Sequence, residues 1–208
     1  MARVTGPAMS LDASGTIAGT LVFSKWKGRN YIRERVIPAN PKSGGQVGVR
    51  SMFKFLAQIW DAQSAPDKAS WEDRADDMIV STFNAFMSYN QRRWRNFQMP
   101  SSADPAAETG TAPTGPTGVA TPGVRSMTVV LTDGVNPPDF GYAIFRSLTG
   151  TFTLAWSNCV AVVEWGSGGT TTWIDTPLVP DQYFYNAIGF LDTGLAGADG
   201  TEFDGTIA

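Results

Sequence analysis

Hydrophobic and polar positions first alternate along a short basic stretch. Residues 19–37 read GTLVFSKWKGRNYIRERVI, with two runs rich in β-branched and aromatic residues on either side of KGRN. This pattern predicts a β-hairpin in which Gly28 supplies the positive φ of a tight turn. Alternate side chains of a strand point to opposite faces, so the second strand has one basic, aromatic face and one face that can pack. The basic face carries Tyr31, Arg33 and Arg35, and the other carries Ile32, Glu34 and Val36. Residues 1–18 are small and polar and predict a lead-in arm.

Between residues 43 and 97 the apolar positions recur at spacings of three and four, which predicts helices. The first helix is expected from an N-cap at Ser43, with Gln46 completing a capping box, to about Gln63. Its apolar stripe consists of Val49, Phe53, Leu56 and Trp60, widened by Met52 and Ile59. A second helix is expected to begin at an N-cap on Ser64, and a third to cover residues 82–97. Because the aromatic residues of the third helix share one face, they indicate core packing.

A change of composition then divides the chain. Residues 98–118 are mainly Pro, Gly, Ser, Thr and Ala, which predicts a semi-extended linker. Beyond it, short apolar runs separated by Gly, Pro, Asn and Asp are typical of a β-sandwich. The sequence therefore predicts an α+β protein, with a hairpin-plus-helical anchoring domain at residues 1–97, the linker at 98–118 and an all-β sandwich at 119–208.

Charge differs between the two halves of the chain. Residues 1–99 carry 14 Lys and Arg and 8 Asp and Glu, whereas residues 100–208 carry 2 and 11. This asymmetry indicates either two regions that face different partners or two domains whose surface chemistry implies no partner. The N-terminus has no apolar core of signal-peptide length, and no apolar run approaches the roughly 20 residues that cross a bilayer. We therefore expect no membrane association.

The residue types needed for catalysis or metal binding are scarce. The chain contains no His and one Cys, Cys159, which argues against Ser-His or Cys-His nucleophiles and against structural zinc. No phosphate-binding glycine loop occurs. The acidic C-terminal tail could either bind calcium or form Asp-Gly turns. Its acidic residues are Asp192, Asp199, Glu202 and Asp204. We expect no enzyme activity, no cofactor, no catalytic residue and no metal site.

Basic residues concentrate between residues 25 and 54, where eight Lys and Arg accompany one Glu. Together with Trp and Tyr, they are suited to docking on an acidic protein surface, because arginine binds carboxylates bidentately. A nucleic-acid backbone is the second interpretation, although the acidic pI of about 4.9 argues against it. The candidate docking residues are Lys25, Trp26, Lys27, Arg29, Tyr31, Arg33, Arg35 and Arg50.

The C-terminal half resembles a fibronectin type III or immunoglobulin-like domain. The resemblance rests on GYAIFRSLTG at 141–150 and WIDTPLVPDQYFYNAIGF at 173–190. Leu178, Pro180 and Tyr183 resemble the tyrosine corner of that family, with a Leu-to-Tyr spacing one residue shorter than the common pattern. The corner hydrogen bond is therefore assigned to Tyr183 or to its neighbour. The resemblance implies the fold and leaves the function open, since this sandwich hosts many functions.

Residues 14–97 resemble small proteins encoded by tailed bacteriophages and prophages. The similarity lies in GTLVFSKWKGRNYIR, in PANPKS followed by Arg50, and in the spacing of Trp60, Trp71 and the Asn84-to-Asn90 segment. It implies a virion structural protein assembled in the host cytoplasm, with capsid or other virion proteins as partners. Self-association, most simply as a trimer or other cyclic oligomer, is a hypothesis that follows from this function and not from the sequence. The first expectation is a capsid decoration protein that displays the sandwich. A neck or tail component is an alternative.

A further alternative is a host-surface adhesin. In that hypothesis the sandwich binds carbohydrate through exposed aromatic residues such as Trp156, Trp165 or Trp173.

Overall fold

A computed structural model describes most of the chain. It covers residues 15–17, 19–26, 29–37 and 43–208, with the backbone alone at 15–17, 25–26 and 29–30. The chain divides into two compact units, Met1–Pro41 and Lys42–Ala208. Each unit is described by itself below.

The first unit contains a three-stranded antiparallel sheet in the order β1-β2-β3. Its strands are β1 (Gly15–Ile17), β2 (Leu21–Trp26) and β3 (Arg29–Glu34). The predicted hairpin is therefore confirmed, and β1 adds a strand where an arm was expected. The turn glycine, Gly28, lies outside the described residues.

The second unit begins with four helices. They are α1 (Gly44–Ala62), α2 (Ala65–Ala69), α3 (Glu72–Met78) and α4 (Thr82–Arg95). Ser64 caps α2 as predicted, since its Oγ accepts a hydrogen bond from the Asp67 N–H at 3.3 Å. Ser43 is the N-cap residue of α1, but its side chain makes no cap hydrogen bond. The predicted capping box with Gln46 is therefore wrong.

The buried face of α1 is centred differently from the predicted stripe. Met52, Phe55, Leu56 and Ile59 are buried, whereas Phe53 is 53% exposed. Positions 52, 55, 56 and 59 follow the three-and-four spacing of one helix face, and Phe53 lies about 100° away from Met52 on the helical wheel. In α4 the predicted aromatic face is buried, with Phe86 and Trp94 both fully inaccessible.

Eight antiparallel strands follow the helices and form two sheets. The strands are β4 (Thr117–Gly123), β5 (Ser126–Thr132), β6 (Gly141–Ser147), β7 (Cys159–Glu164), β8 (Thr170–Asp175), β9 (Asp181–Phe190), β10 (Ala196–Asp199) and β11 (Phe203–Ile207). One sheet has the order β4-β5-β8, and the other has the order β10-β9-β6-β7 with β11 also paired to β9. This arrangement is an immunoglobulin-like sandwich, and it confirms the α+β fold class.

The corner hydrogen bond belongs to Tyr183. Its hydroxyl donates to the Val179 carbonyl at 2.9 Å and accepts the Val179 N–H at 3.3 Å. Tyr183 lies near the start of β9, the strand that carries this corner in immunoglobulin-like domains. The structure thereby settles the choice that the shortened spacing left open.

Helices and sandwich share one core, so the second unit has three layers. One cluster joins Met52 and Leu56 of α1 and Phe86 of α4 to Phe145 and Phe190 of the larger sheet. A second cluster lies between the two sheets. The larger sheet is therefore covered on both faces, which explains why residues 141–145 of β6 are all buried.

The predicted linker is part of this unit, and the predicted boundary at 98–118 is not the division that the structure shows. Met99 is 1% exposed. The Asn90 side-chain amide donates to the Ser101 carbonyl at 3.0 Å and accepts the Ser101 N–H at 2.8 Å. The Trp71 Nε1–H donates to the Ser102 carbonyl at 2.8 Å. These buried side-chain partners satisfy the backbone of an irregular segment and hold it against the helices.

Candidate docking site

The predicted basic face lies on strand β3 of the first unit. In the β2-β3 register, Val22 pairs with Arg33 and Ser24 pairs with Tyr31. Directly opposed residues of an antiparallel pair share a face. Tyr31 and Arg33 therefore extend one face of the sheet, and Arg35 continues their alternation beyond the end of β3.

Exposure of this sheet is high on both faces. Tyr31, Arg33 and Arg35 are exposed, and so is the apolar residue Ile32, which is 51% exposed on the opposite face. Phe23, paired with Ile32, is buried. An isolated sheet of this size has little apolar surface to bury and gains stability by packing against something else.

The structure does not describe the side chains of all the other predicted docking residues. Lys25, Trp26 and Arg29 lie in the strands, but their side chains are outside the described residues, as is the whole of Lys27. Arg50 lies on α1 in the second unit and is exposed. Of the predicted set, the structure brings together Tyr31, Arg33 and Arg35.

A different polar site occurs on the second unit. A cavity of about 430 Å³ is lined by the end of α1, the start of α2 and the loops that border β6, β7 and β9. Its acidic residues are Asp67, Asp139, Glu164 and Asp192, and its aromatic residues are Phe140 and Trp165. None of the described residues that line it is Lys or Arg. We call this site the acidic cavity.

The acidic cavity has one electrostatic feature and one hydrogen-bonding feature. Burial raises the pKa of the Asp192 carboxyl, and the nearby charges of Asp139 and Asp67 raise it further. The Gln63 side-chain amide also lines the cavity. Its Nε2 and Oε1 atoms each expose less than 1 Å² and have no hydrogen-bond partner in the described part of the chain. Unsatisfied buried amide atoms are rare in folded proteins.

The acidic cavity was missed from the sequence because its residues come from distant segments. Asp67 begins α2, Asp139 precedes β6, and Asp192 follows β9. Asp139 and Asp192 meet because the Asp192 N–H donates to Asp139 Oδ1 at 2.8 Å. The sequence does show an excess of acidic residues after position 99. That excess does not indicate which of these residues lie close together in the fold.

The calcium site that was an alternative for the acidic tail is not assembled among the described residues. No three His, Cys, Asp or Glu side chains within the described ranges lie close enough to hold a metal ion. In the acidic tail, Glu202 accepts the Thr151 N–H and Asp204 accepts from the Gln182 amide. Calcium binding at this tail is thus without structural support.

The aromatic residues that were expected to bind carbohydrate are partly buried. Trp156 packs against the core shared by helices and sheet, and Trp165 and Trp173 pack against the core between the sheets. The Trp165 Nε1–H also donates to Asp133 at 2.8 Å. These tryptophans pack against the core. The expectation that they are exposed aromatic residues available to carbohydrate is therefore wrong.

Among the described residues, no helix has both the length and the apolar character needed to cross a membrane.

A family of unknown function, DUF6266, matches residues 13–129, which is more than half of the chain. The chain belongs to this family. The match includes the hairpin sheet, the four helices, the first strand of the sandwich and part of the second. No curated protein matches the chain.

Two solved structures share a limited likeness. A β-1,2-glucanase from Parabacteroides distasonis is 18% identical, with a TM-score of 0.37, over 48% of this chain and 13% of the glucanase. An Fn3-like protein from Clostridium thermocellum is 21% identical, with a TM-score of 0.30, over 47% of this chain and 96% of that protein. Both TM-scores are too low to support an argument about function. The sandwich assignment rests on its own strand order and tyrosine corner.

Proposed function

We propose that this protein is a non-enzymatic structural protein that docks on an acidic protein surface through the basic face of its N-terminal sheet. The observation that carries the proposal is the exposed row of Tyr31 and Arg33 on β3 and Arg35 just beyond its end. Arg and Tyr are enriched at protein interfaces, and planar guanidinium groups bind carboxylates bidentately. The exposed apolar Ile32 on the other face gives the sheet a second reason to pack on a partner.

The proposed setting is a tailed-phage particle. The resemblance of residues 14–97 to phage-encoded proteins supports it, and an immunoglobulin-like module suits a surface appendage. In the first form of the proposal, the protein decorates the capsid and stabilises it by binding the assembled shell in preference to free subunits. In the second form, it is a neck or tail component. The partners are capsid or other virion proteins, with assembly in the host cytoplasm.

Quantitative mass spectrometry of purified particles from the encoding strain tests this proposal. A copy number of the same order as the major shell protein is expected for decoration, whereas a low count indicates the neck or tail. The variant Arg33→Gln/Arg35→Gln should be lost from particles. Its matched control, Arg92→Gln/Arg95→Gln, removes two exposed arginines from α4 and should be retained. Absence of the wild-type protein from particles would refute a virion role.

Nucleic-acid binding is the second candidate, favoured by the exposed Tyr31 between arginine positions on β3. An aromatic ring among arginines can stack on unpaired bases while the guanidinium groups contact phosphates. Such binding weakens steeply with salt because phosphate neutralisation releases counterions. Fluorescence anisotropy with labelled single-stranded DNA would measure this. No binding at low salt rules the candidate out.

A further inference from the structure

We propose that the acidic cavity receives arginine side chains from the hairpin sheet of a second copy of this chain, so that copies associate head to tail. The inference rests on the docking face of the proposed function and names its acidic partner. It combines two features that the structure describes separately. One is the exposed arginines of the first unit, and the other is the group of cavity carboxylates in the second unit, which has no described Lys or Arg in its lining.

The chemistry of the cavity favours a cationic occupant. Four carboxylates line it without a described Lys or Arg among them. Asp192 is partly desolvated beside Asp139, as the raised pKa of its carboxyl indicates. A cation placed in the cavity would favour the charged form of these carboxylates.

The spacing of the carboxylates selects an extended cation over a metal ion. Within the described residues, no three acidic side chains approach closely enough to share one metal ion. A cavity of about 430 Å³ has room for a larger group. A guanidinium group offers five N–H donors in a plane and reaches several acceptors at once.

The Gln63 amide gives an independent reason to expect a polypeptide ligand. Its buried Oε1 lacks a donor and its buried Nε2 lacks an acceptor among the described residues. Once the Gln63 side chain turns toward the cavity, an arginine-bearing strand supplies both, because its guanidinium N–H groups donate and its backbone carbonyls accept. A bare cation supplies no acceptor and would leave Nε2 unsatisfied.

Charge complementarity identifies the source of that strand as the chain itself. Arg33 and Arg35 are both exposed and alternate along one face, which places them about 6.6 Å apart along an extended backbone. The basic half of the chain, with an excess of six positive charges, is opposite in sign to the acidic half, which has an excess of nine negative charges. Such an interface joins two different surfaces, so it generates rings or filaments when repeated.

Sedimentation velocity of the full chain tests the inference. The wild-type protein should associate with rising concentration and dissociate on addition of salt or of free arginine. The cavity variant Glu164→Gln/Asp192→Asn keeps side-chain size and removes two charges, and should weaken association roughly tenfold or more. Its matched control, Asp76→Asn/Asp77→Asn, removes two exposed charges from α3 outside the cavity lining and should behave as wild type. The hairpin variant Arg33→Gln/Arg35→Gln should also be monomeric.

Mixing the two defective variants provides the decisive measurement. The cavity variant keeps an intact hairpin sheet and the hairpin variant keeps an intact cavity, so a mixture should form one heterodimer and nothing larger. A monomeric wild-type protein, an unaffected cavity variant, or a mixture that stays monomeric would each overturn the inference. Circular dichroism of each variant verifies that it is folded.

The outcomes also separate this inference from the proposed function. Head-to-tail association without incorporation into particles would refute the virion role and leave the inference intact. Incorporation without self-association would assign the acidic partner of the hairpin to another protein.

Discussion

The Val162 backbone N–H donates a 2.6 Å hydrogen bond to Ser51 Oγ, which joins helix α1 to strand β7. Strand β7 is the edge of the larger sheet, and an unpaired edge can pair with other chains. The helix covers that edge with a side-chain acceptor instead of a further strand. This hydrogen bond connects the helical layer to the sandwich and gives one N–H at the β7 edge an acceptor.

Replacement of Ser51 by Ala should lower the free energy of unfolding by about 1–3 kcal/mol, because the Val162 N–H loses its acceptor in a part-buried site. Urea denaturation followed by tryptophan fluorescence measures the change. Ser88→Ala is the matched control, since it makes the same replacement at an exposed position of α4. Equal stability of the two variants would show that the 2.6 Å contact contributes nothing.

The division of the chain can be tested by truncation. Residues 42–208 should fold as one cooperative unit, whereas residues 119–208 alone should aggregate or bind hydrophobic dyes. The shorter fragment loses α1 and α4 and exposes the outer face of the larger sheet, including Phe140, Phe145 and Phe190. Calorimetry of the longer fragment and light scattering of the shorter one provide the readouts. A soluble, cooperatively folded 119–208 fragment would restore the boundary that the sequence predicted.

Local sequence patterns predicted most of the helices and strands. The features that they did not predict depend on packing between residues that are distant in sequence. The hairpin and the N-cap positions Ser43 and Ser64 follow from residues adjacent in sequence, so they were found. Segment 98–118 resembled a linker because its composition is polar and Pro-rich. The segment is held against the helices by hydrogen bonds from Asn90 and Trp71, which lie elsewhere in the chain. A local sequence pattern does not reveal hydrogen-bond partners that are distant in sequence.

The candidate sites divide in the same way. The exposed row of Tyr31, Arg33 and Arg35 could be predicted from the two-residue period of one strand. The acidic cavity could not, because chain topology alone brings Asp139 and Asp192 together. The resemblance of the second half to immunoglobulin-like domains predicted two sheets but not the helical layer over one of them.

Tyr183→Phe should destabilise the sandwich by about 1 kcal/mol, because the corner hydroxyl both donates to and accepts from the Val179 backbone. Thermal unfolding of the full chain measures the loss. Tyr31→Phe in the full chain is the chemical control, since Tyr31 is exposed on β3. A stability loss for Tyr31→Phe as large as that for Tyr183→Phe would argue against a special role for the corner.

The Asp192 carboxyl should make stability depend on pH in a defined direction. Its folded pKa is raised by burial and by Asp139 and Asp67, above the ordinary value of about 3.9 for an unfolded aspartate. In the pH range between these two values the folded state binds more protons, so stability falls as pH rises through that range. Below the range the contribution is fully present.

Asp192→Asn should remove this fall. The charged groups that remain in the cavity are Asp67, Asp139 and Glu164. The variant should therefore match the wild-type protein in acid and exceed it in stability at neutral pH, measured by urea denaturation across the range. Asp199→Asn, at an exposed position of β10, is the control. A wild-type stability curve that Asp192→Asn leaves unchanged would contradict the assignment.

The Cys159 thiol should report opening of the shared core. It is fully buried, and burial raises the pKa of the thiol, so reactive thiolate is scarce. Alkylation of the native protein should be slow and should proceed through transient unfolding, with a rate that follows the population of the open state.

Because Ser51→Ala lowers stability, it should raise the alkylation rate of Cys159 about fivefold for each kcal/mol lost. Mass spectrometry of iodoacetamide labelling measures both rates. Rapid labelling of the native wild-type protein, or a rate indifferent to Ser51→Ala, would show that Cys159 becomes accessible by a local motion that leaves the contact between α1 and β7 intact.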